Sequence, residues 1–226
     1  MGNFVGGVQM GMFAEATGAI LRLPRFLGTG AAHSATFEIS ASQLEALLKE
    51  AAGVIQEARD LVSGRSLSKL TTSLESTSWS VAQNLDHLTK TTNAFLPPIS
   101  AAIARAPRLT RNRALRTGAL AQLLIRSLEP PYRLRFKVLA ALVPHQQDFS
   151  SAWAGFAESQ AELGKTIESA AGLGIDQVRI ESPVYARFSY NVYGALCMLT
   201  AHQRRHLWQM EQILKALDGA PARKAS

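Results

Sequence analysis

Apolar residues recur every three or four positions in four long segments of this 226-residue chain. That spacing places them on one face of an α-helix, so it predicts amphipathic helices rather than strands. The helices are predicted at about residues 40–63, 80–96, 148–171 and 189–217. Residues 99–147 separate the second helix from the third and are predicted to carry one or two short helices. The sequence therefore predicts an all-α fold, a four-helix bundle with a long crossover between the second and third helices.

Residues suited to capping mark where three of these helices begin. Ser42 with Glu45, and Ser80 with Gln83, fit the capping box, in which side chain and backbone satisfy each other's free donors. Asp148 is suited to cap the third helix. These signals predict that the first three helices begin close to these residues.

Glycine and proline indicate where helices end. Gly64 is expected to stop the first helix, because glycine is favoured just beyond a helix C-terminus. Pro97 and Pro98 are expected to interrupt or kink the second helix. Pro183 counts against an interior strand in the segment before the last helix, which is therefore predicted to be a loop with at most one extended stretch.

Composition divides the chain and excludes several classes of protein. Residues 1–37 are rich in glycine and are predicted to form a loosely ordered extension, followed by one domain at 38–219 and a tail at 220–226. No run of 18 apolar residues occurs, so a membrane-spanning helix is not expected. The single cysteine, Cys197, excludes an intrachain disulfide and a four-cysteine zinc site. With no clear export signal, a cytoplasmic location is expected.

The positive charge of the chain is concentrated in one segment. The sequence holds 24 Lys and Arg against 17 Asp and Glu, a net charge of +7. Ten of the basic residues fall between residues 87 and 147, with Glu129 as the one acidic residue there. The arginine run Arg105–Arg116 is predicted to be a solvated surface; the alternatives are a clamp for an anionic substrate and a surface for an acidic partner or nucleic acid. The run contains no aromatic residue, which counts against single-stranded nucleic acid.

Two of the five histidines, His202 and His206, lie four positions apart in the last predicted helix. Four residues turn a helix by about 400°, so both rings leave one face, with Cβ atoms about 5–6 Å apart. The same face carries Ala195, Met198 and Leu199, which indicates that it points to the interior. A shared metal ion would compensate for burying both rings, and two separately satisfied or surface histidines are the alternative.

A third metal ligand would have to come from another helix. His87 lies in the second predicted helix, on the flank of its apolar stripe, and is either a ligand or a core histidine bonded to a neighbouring helix. His33 and His145 are given no role. Cys197 lies about 140° around the helix from His202 and is predicted to be a small buried apolar residue. Polar residues close to these histidines in sequence are given no role either: Asn84, Asp86, Gln209 and Glu211.

Two stretches of the sequence carry a family resemblance. STSWSVAQNLDHLTKTTNAF, at 76–95, has a tryptophan, a small capping residue, and a histidine eight positions after the tryptophan. YGALCMLTAHQRRHLWQMEQI, at 193–213, has H-x-x-x-H followed by leucine and a glutamine-rich turn. With the approach segment IDQVRIESPVYARFSYNVYGAL, these stretches resemble the DinB-like superfamily over roughly residues 38–217.

The resemblance implies a metal site. In that family a helical bundle holds one divalent metal ion with three histidines, one from the second helix and two from the last. Position by position, these residues are His87, His202 and His206. The expected metal is zinc, and nickel and iron are alternatives because imidazole suits all three. Three neutral histidines with one open position are typical of a catalytic rather than a structural zinc site.

The resemblance also implies a kind of chemistry. The superfamily includes thiol-dependent transferases and isomerases in which the metal activates a low-molecular-weight thiol. It therefore implies a metal-dependent transferase or hydrolase that activates a small thiol or water against a small molecule, an anionic one among the candidates. Two alternatives stay open: a non-enzymatic helical module that binds an acidic partner or nucleic acid through Arg105–Arg116, and a metal that only stabilises the fold. The sequence is also compatible with a homodimer.

Overall fold

The computed structural model describes residues 38–76, 78–129, 138–145, 148–185 and 187–219. The predicted extension, 1–37, and the predicted tail, 220–226, lie outside the described residues. The described part of the chain is mostly helical, so the all-α prediction is confirmed. Its α-helices and β-strands, in chain order, are α1 (Glu38–Val62), α2 (Leu67–Thr71), α3 (Val81–Ile103), α4 (Ala119–Leu128), α5 (Phe149–Glu168), β1 (Arg179–Glu181), β2 (Ser189–Asn191) and α6 (Val192–Gly219). A short 3-10 helix, Ala140–Leu142, lies between α4 and α5.

The sequence analysis did not predict three small elements, the helix α2 and the strands β1 and β2. The helix α2 has only five residues, too few for a periodic apolar pattern. Strands β1 and β2 pair antiparallel, with Ile180 opposite Tyr190, where a loop with at most one extended stretch was expected. Pro183 lies between these strands, so it removes no hydrogen bond from the pairing. The last helix consequently begins at Val192, three residues later than predicted.

Two of the three predicted caps are confirmed. The Ser80 side chain accepts a hydrogen bond from the backbone N–H of Gln83, and the Gln83 side chain accepts one from the backbone N–H of Ser80. Asp148 accepts from the backbone N–H of Ser151. The box at Ser42 is wrong, because α1 already begins at Glu38 and Ser42 lies inside the helix.

The expected interruption at Pro97 and Pro98 does not occur, because α3 runs through both prolines to Ile103. Each proline removes one backbone N–H from the helix, which costs stability. Buried apolar side chains on both sides of the prolines, Phe95 and Ile99 among them, hold this part of α3 against its neighbours. Packing in the core therefore overrides the local signal. At the end of α1, by contrast, Gly64 has the positive φ of 69° expected beyond a helix terminus.

The long helices pack in a closed cycle. α3 contacts α5 and α6, and α1 also contacts α5 and α6. The short helix α4 packs against α6. The core consists of two apolar clusters along these helices. Between the clusters lie buried polar side chains that belong to neither, Thr92, Gln160 and Gln203.

The start of α6 is fixed by Asn191. Its Oδ1 accepts a hydrogen bond of 2.7 Å from the backbone N–H of Gly194, and its Nδ2 donates to the carbonyl of Arg116. A Cβ on Gly194 would lie 2.3 Å from the carbonyl oxygen of Thr117, so only glycine allows this close approach. These contacts set where α6, which carries two of the predicted ligands, lies against the crossover.

Within the described ranges, none of the helices combines the length and the hydrophobicity that crossing a bilayer requires.

Candidate metal centre

The structure brings the three predicted ligands, His87, His202 and His206, to one point between α3 and α6. Their nearest ligand nitrogens all lie within 4.8 Å of one another. The Nε2 of His202 is 3.4 Å from the Nε2 of His87 and 3.2 Å from that of His206. Two nitrogens bound at about 2.0–2.1 Å in tetrahedral directions would lie about 3.3 Å apart. The spacing therefore fits ligands of one ion.

Hydrogen bonds fix which nitrogen carries the proton in two of the rings. The Nδ1 of His87 lies 2.8 Å from the carbonyl oxygen of Leu142, so Nδ1 is the donor. The Nδ1 of His206 lies 2.8 Å from the Oδ1 of Asn84. The orientation of that amide is fixed, because its Nδ2 donates to the carbonyl of Ser80. Each neutral ring therefore presents the lone pair of its Nε2 to the centre.

These lone pairs meet at His202. A proton on the Nε2 of His202 could satisfy either His87 or His206, but not both. The Nδ1 of His202 is buried and has no hydrogen-bond partner among the described residues. The Nε2 of His87 or of His206 is then a buried acceptor without a donor, which costs about 1–3 kcal/mol. One cation at the centre would satisfy all three Nε2 atoms, so the chemistry of the donor set fits a metal.

Burial keeps all three rings neutral. Desolvation, and then the nearby His87 and Arg205, lower the pKa of His202 to about 3. Desolvation also lowers the pKa of His87, and it lowers that of His206 well below its ordinary value. The neutral imidazole is the form that binds metal ions. The site therefore needs no deprotonation to accept a cation at neutral pH.

A loop of the crossover, residues 138–145, contacts α3 around His87. Besides the bond from His87 to Leu142, the backbone N–H of His145 donates to Asp86, and Lys90 donates to the carbonyl of Val143. Lys90 also lies 3.0 Å from Asp86. Three hydrogen bonds within about one turn of α3 thus tie the loop to this helix. On another side, the ring of Trp79 lies 4.7 Å from the ring of His87, centroid to centroid.

The histidines open onto a cavity of about 1030 Å³. Most of its wall is aliphatic or aromatic, with Trp208, Tyr185 and Phe188 partly exposed at its edge. The three histidines, Thr91 and Arg205 are among the polar side chains of the wall. A cavity of this size accommodates a small molecule that is mainly apolar.

A comparison with protein families assigns the chain. The family model of the DinB superfamily matches residues 36–210. The chain belongs to the DinB superfamily. No curated protein and no solved structure matches the chain.

Sequence reasoning missed the residues that orient the ligands of this DinB superfamily member. Asn84 and Asp86 were given no role, and for Asp86 the reason was that it does not share the face of α3 that carries His87. Asn84 instead reaches across to α6, and Asp86 acts through the loop. The capping box at Ser80 was the one available signal, since it fixes where α3 starts and leaves the Ser80 carbonyl to orient Asn84.

The other reactive residues lie away from the centre. His145 contributes only its backbone to the loop contact with Asp86. Cys197 is half-buried and is not among the residues of the cavity wall. Burial raises the pKa of its thiol to about 11, although the hydrogen bond with Tyr193 lowers it, so the thiol stays protonated. His33 lies outside the described residues.

The arginine run Arg105–Arg116 is attached to the protein at several points. Arg105 donates to the carbonyls of Ala101 and Arg179. Arg113 binds Asp176 through both of its terminal nitrogens, at 2.6 and 2.8 Å. Burial alone would raise the pKa of Asp176, but the hydrogen bonds from Arg113 and from the backbone N–H of Arg116 lower it. Part of this run therefore serves the fold.

Proposed function

We propose that this member of the DinB superfamily binds one divalent metal ion through the Nε2 atoms of His87, His202 and His206. The observation that supports the proposal is the arrangement of protons. Two of the rings are held with their lone pairs aimed at the third, and no protonation state of three neutral rings satisfies all of them. We propose zinc as the metal, with nickel and iron as the alternatives to be tested.

We also propose that α1, α3, α5 and α6 form a four-helix bundle, with the segment around α4 as its crossover. The closed cycle of contacts among these four helices supports this arrangement. In such bundles, side chains of facing helices build metal sites in the core. α3 and α6 are in contact, and they carry the three histidines.

The proposed activity is that of a metal-dependent transferase or hydrolase acting on a small molecule. When bound, a divalent cation with an open position lowers the pKa of a water or thiol ligand and polarises a substrate. The protein contributes the rest: hydrogen bonds to Asn84 and Leu142 hold the rings in place, and the apolar cavity wall excludes water from the substrate. A small thiol or water would be the nucleophile.

Metal content tests the first part of this proposal. Untagged protein, purified without a nickel column, is dialysed against zinc, nickel or ferrous iron, and bound metal is measured by elemental analysis. We expect about one equivalent per chain, and less than about 0.2 in a His202→Ala/His206→Ala protein. Wild-type protein with under about 0.2 equivalents of every metal contradicts the proposal.

A transfer assay tests the second part. The metal-loaded protein is incubated with 1-chloro-2,4-dinitrobenzene and either glutathione or cysteine, and product is followed by absorbance. A thiolate displaces chloride from the ring carbon, so a carbon–sulfur bond forms and a carbon–chlorine bond breaks. Hydrolysis of 4-nitrophenyl acetate without thiol tests water as the nucleophile. If neither reaction depends on the three histidines, and chelation only lowers the melting temperature, the metal is structural.

A further inference from the structure

A buried arginine lies beside the histidine cluster. Arg205 is 6% exposed and belongs to the cavity wall. It directly precedes His206 on α6 and lies one turn beyond His202. Among the described residues of the cavity wall, it is the one Lys, Arg, Asp or Glu side chain. The described part of the wall therefore carries one fixed charge, which is positive.

The neighbouring helix α4 accepts a hydrogen bond from this arginine. The Nη1 of Arg205 donates to the carbonyl oxygen of Ser127 at 3.2 Å, in the last turn of α4. Carbonyls at a helix C-terminus attract cations, so this contact orients the side chain. A guanidinium has five N–H donors in a planar fork, and it can hold a backbone carbonyl and a carboxylate at the same time.

A second polar group in the wall has no partner. Thr91 is 6% exposed and lies one turn beyond His87 on α3. Its Oγ1 makes no hydrogen bond with any described residue, although Thr91 belongs to the same cavity wall. A buried hydroxyl is costly unless it is paired. A polar atom of a ligand in the cavity would provide that pairing.

We infer that the cavity selects small molecules that combine an apolar body with a single carboxylate, which pairs with Arg205 while Thr91 donates a hydrogen bond to the ligand. The inference rests on the proposed function, because it treats this cavity as the substrate pocket. The aliphatic and aromatic wall suits the apolar body. One guanidinium balances one negative charge, which favours a carboxylate over a doubly charged phosphate ester.

Paired probes test the inference. Binding of 5-phenylpentanoate and of its neutral amide, 5-phenylpentanamide, to the zinc-loaded full chain is measured by calorimetry at pH 7.5. We expect the acid to bind at least about tenfold tighter than the amide, since charge-assisted hydrogen bonds are roughly twice as strong as neutral ones. In Arg205→Gln the preference should fall below about twofold while zinc is retained.

Two further variants separate a binding role from a structural one. Arg205→Lys keeps the charge and loses the fork, so it should keep part of the preference; it also serves if Arg205→Gln does not fold by circular dichroism. Arg111→Gln is the matched control, since Arg111 lies in a separate surface depression with Arg113 and Arg116. It should leave the preference unchanged.

Several results would overturn the inference. Equal binding of acid and amide to wild-type protein would mean that Arg205 only anchors α4. A preference that persists in zinc-loaded Arg205→Gln would place the carboxylate elsewhere, for example on the metal. Failure of the proposed metal site gives a different result. If zinc does not bind but the preference for the acid still depends on Arg205, the metal site is wrong and the carboxylate site is supported.

Discussion

The two polar regions that the sequence singled out, the histidine cluster and the arginine run Arg105–Arg116, are organised in opposite ways. The three histidines come from two helices and turn their Nε2 atoms toward one point. In the arginine run, Arg105 and Arg113 reach in different directions to backbone carbonyls and to Asp176. Binding one ion requires several groups to converge, whereas attaching a crossover to a core requires contacts spread along it. The geometry of the first region therefore suits a metal site, and part of the second region stabilises the fold.

The largest expected effect is the loss of a ligand. His206→Ala removes one of the three ligand nitrogens, and we expect metal affinity to fall by at least about a thousandfold. This loss exceeds the 10–100-fold typical of residues that only orient a ligand. Competition with a fluorescent zinc chelator measures it. His145→Ala is the matched control, because its side chain is exposed and its backbone N–H, which the substitution keeps, donates to Asp86. Equal losses in both variants would break the comparison.

A smaller loss is expected at the residue that orients His206. Asn84→Ala removes the acceptor for the Nδ1 of His206, and metal affinity should fall about 10–100-fold. The same chelator competition measures the change. Asn93→Ala, at an exposed position of the same helix, controls for loss of an asparagine from α3. If Asn84→Ala binds metal as tightly as wild type, orientation of the ring does not depend on this bond.

The arginine run should respond in stability instead. Arg113→Ala leaves the carboxylate of Asp176, whose side chain is 7% exposed, without its main partner. We expect a loss of about 2 kcal/mol in the free energy of unfolding. Breaking a fully buried pair costs about 3–5 kcal/mol, and the loss should be smaller here because Arg113 is partly exposed. Urea denaturation measures it, with Arg111→Ala as the control. Metal affinity should stay unchanged, and a change in it would couple the two regions.

The smallest effect is expected in the polar layer between the core clusters. Both amide atoms of Gln160 are buried without a partner among the described residues, whereas the Nε2 of Gln203 donates to Thr92. Gln160→Met should therefore stabilise the fold by about 1 kcal/mol, and Gln203→Met should not, because it removes a bond. Urea denaturation decides between them. Destabilisation by Gln160→Met would indicate that this amide is paired, for example with an internal water.

Local sequence signals predicted the helices well where a single residue could satisfy a local need. Ser80 with Gln83, and Asp148, cap helices because free N–H donors lie within three residues. The same signal failed at Ser42, where the helix already begins at Glu38, since a favourable cap pattern does not exclude helix before it. At Pro97 the local penalty was real, but buried neighbours outweighed it. Tertiary packing of this kind cannot be read from one segment.

The residues of the candidate site also divide into those that the sequence predicted and those that only the packed helices reveal. Spacing alone put His202 and His206 on one face, and the family resemblance added His87. Asn84 could not be found, because its partner, His206, is more than one hundred residues away and the contact exists only once α3 and α6 pack. Leu142 contributes only a backbone carbonyl, which no side-chain pattern reveals. Long-range partners of this kind need the fold itself.

The most direct test of the central claim is the coordination of the bound metal. X-ray absorption spectroscopy on the zinc-loaded, untagged protein measures the number, type and distance of the ligand atoms. We expect three imidazole nitrogens at about 2.0–2.1 Å with one further light atom, and loss of one imidazole in His87→Ala. A shell with a sulfur ligand, or with fewer than two imidazoles in the wild-type protein, would contradict the account.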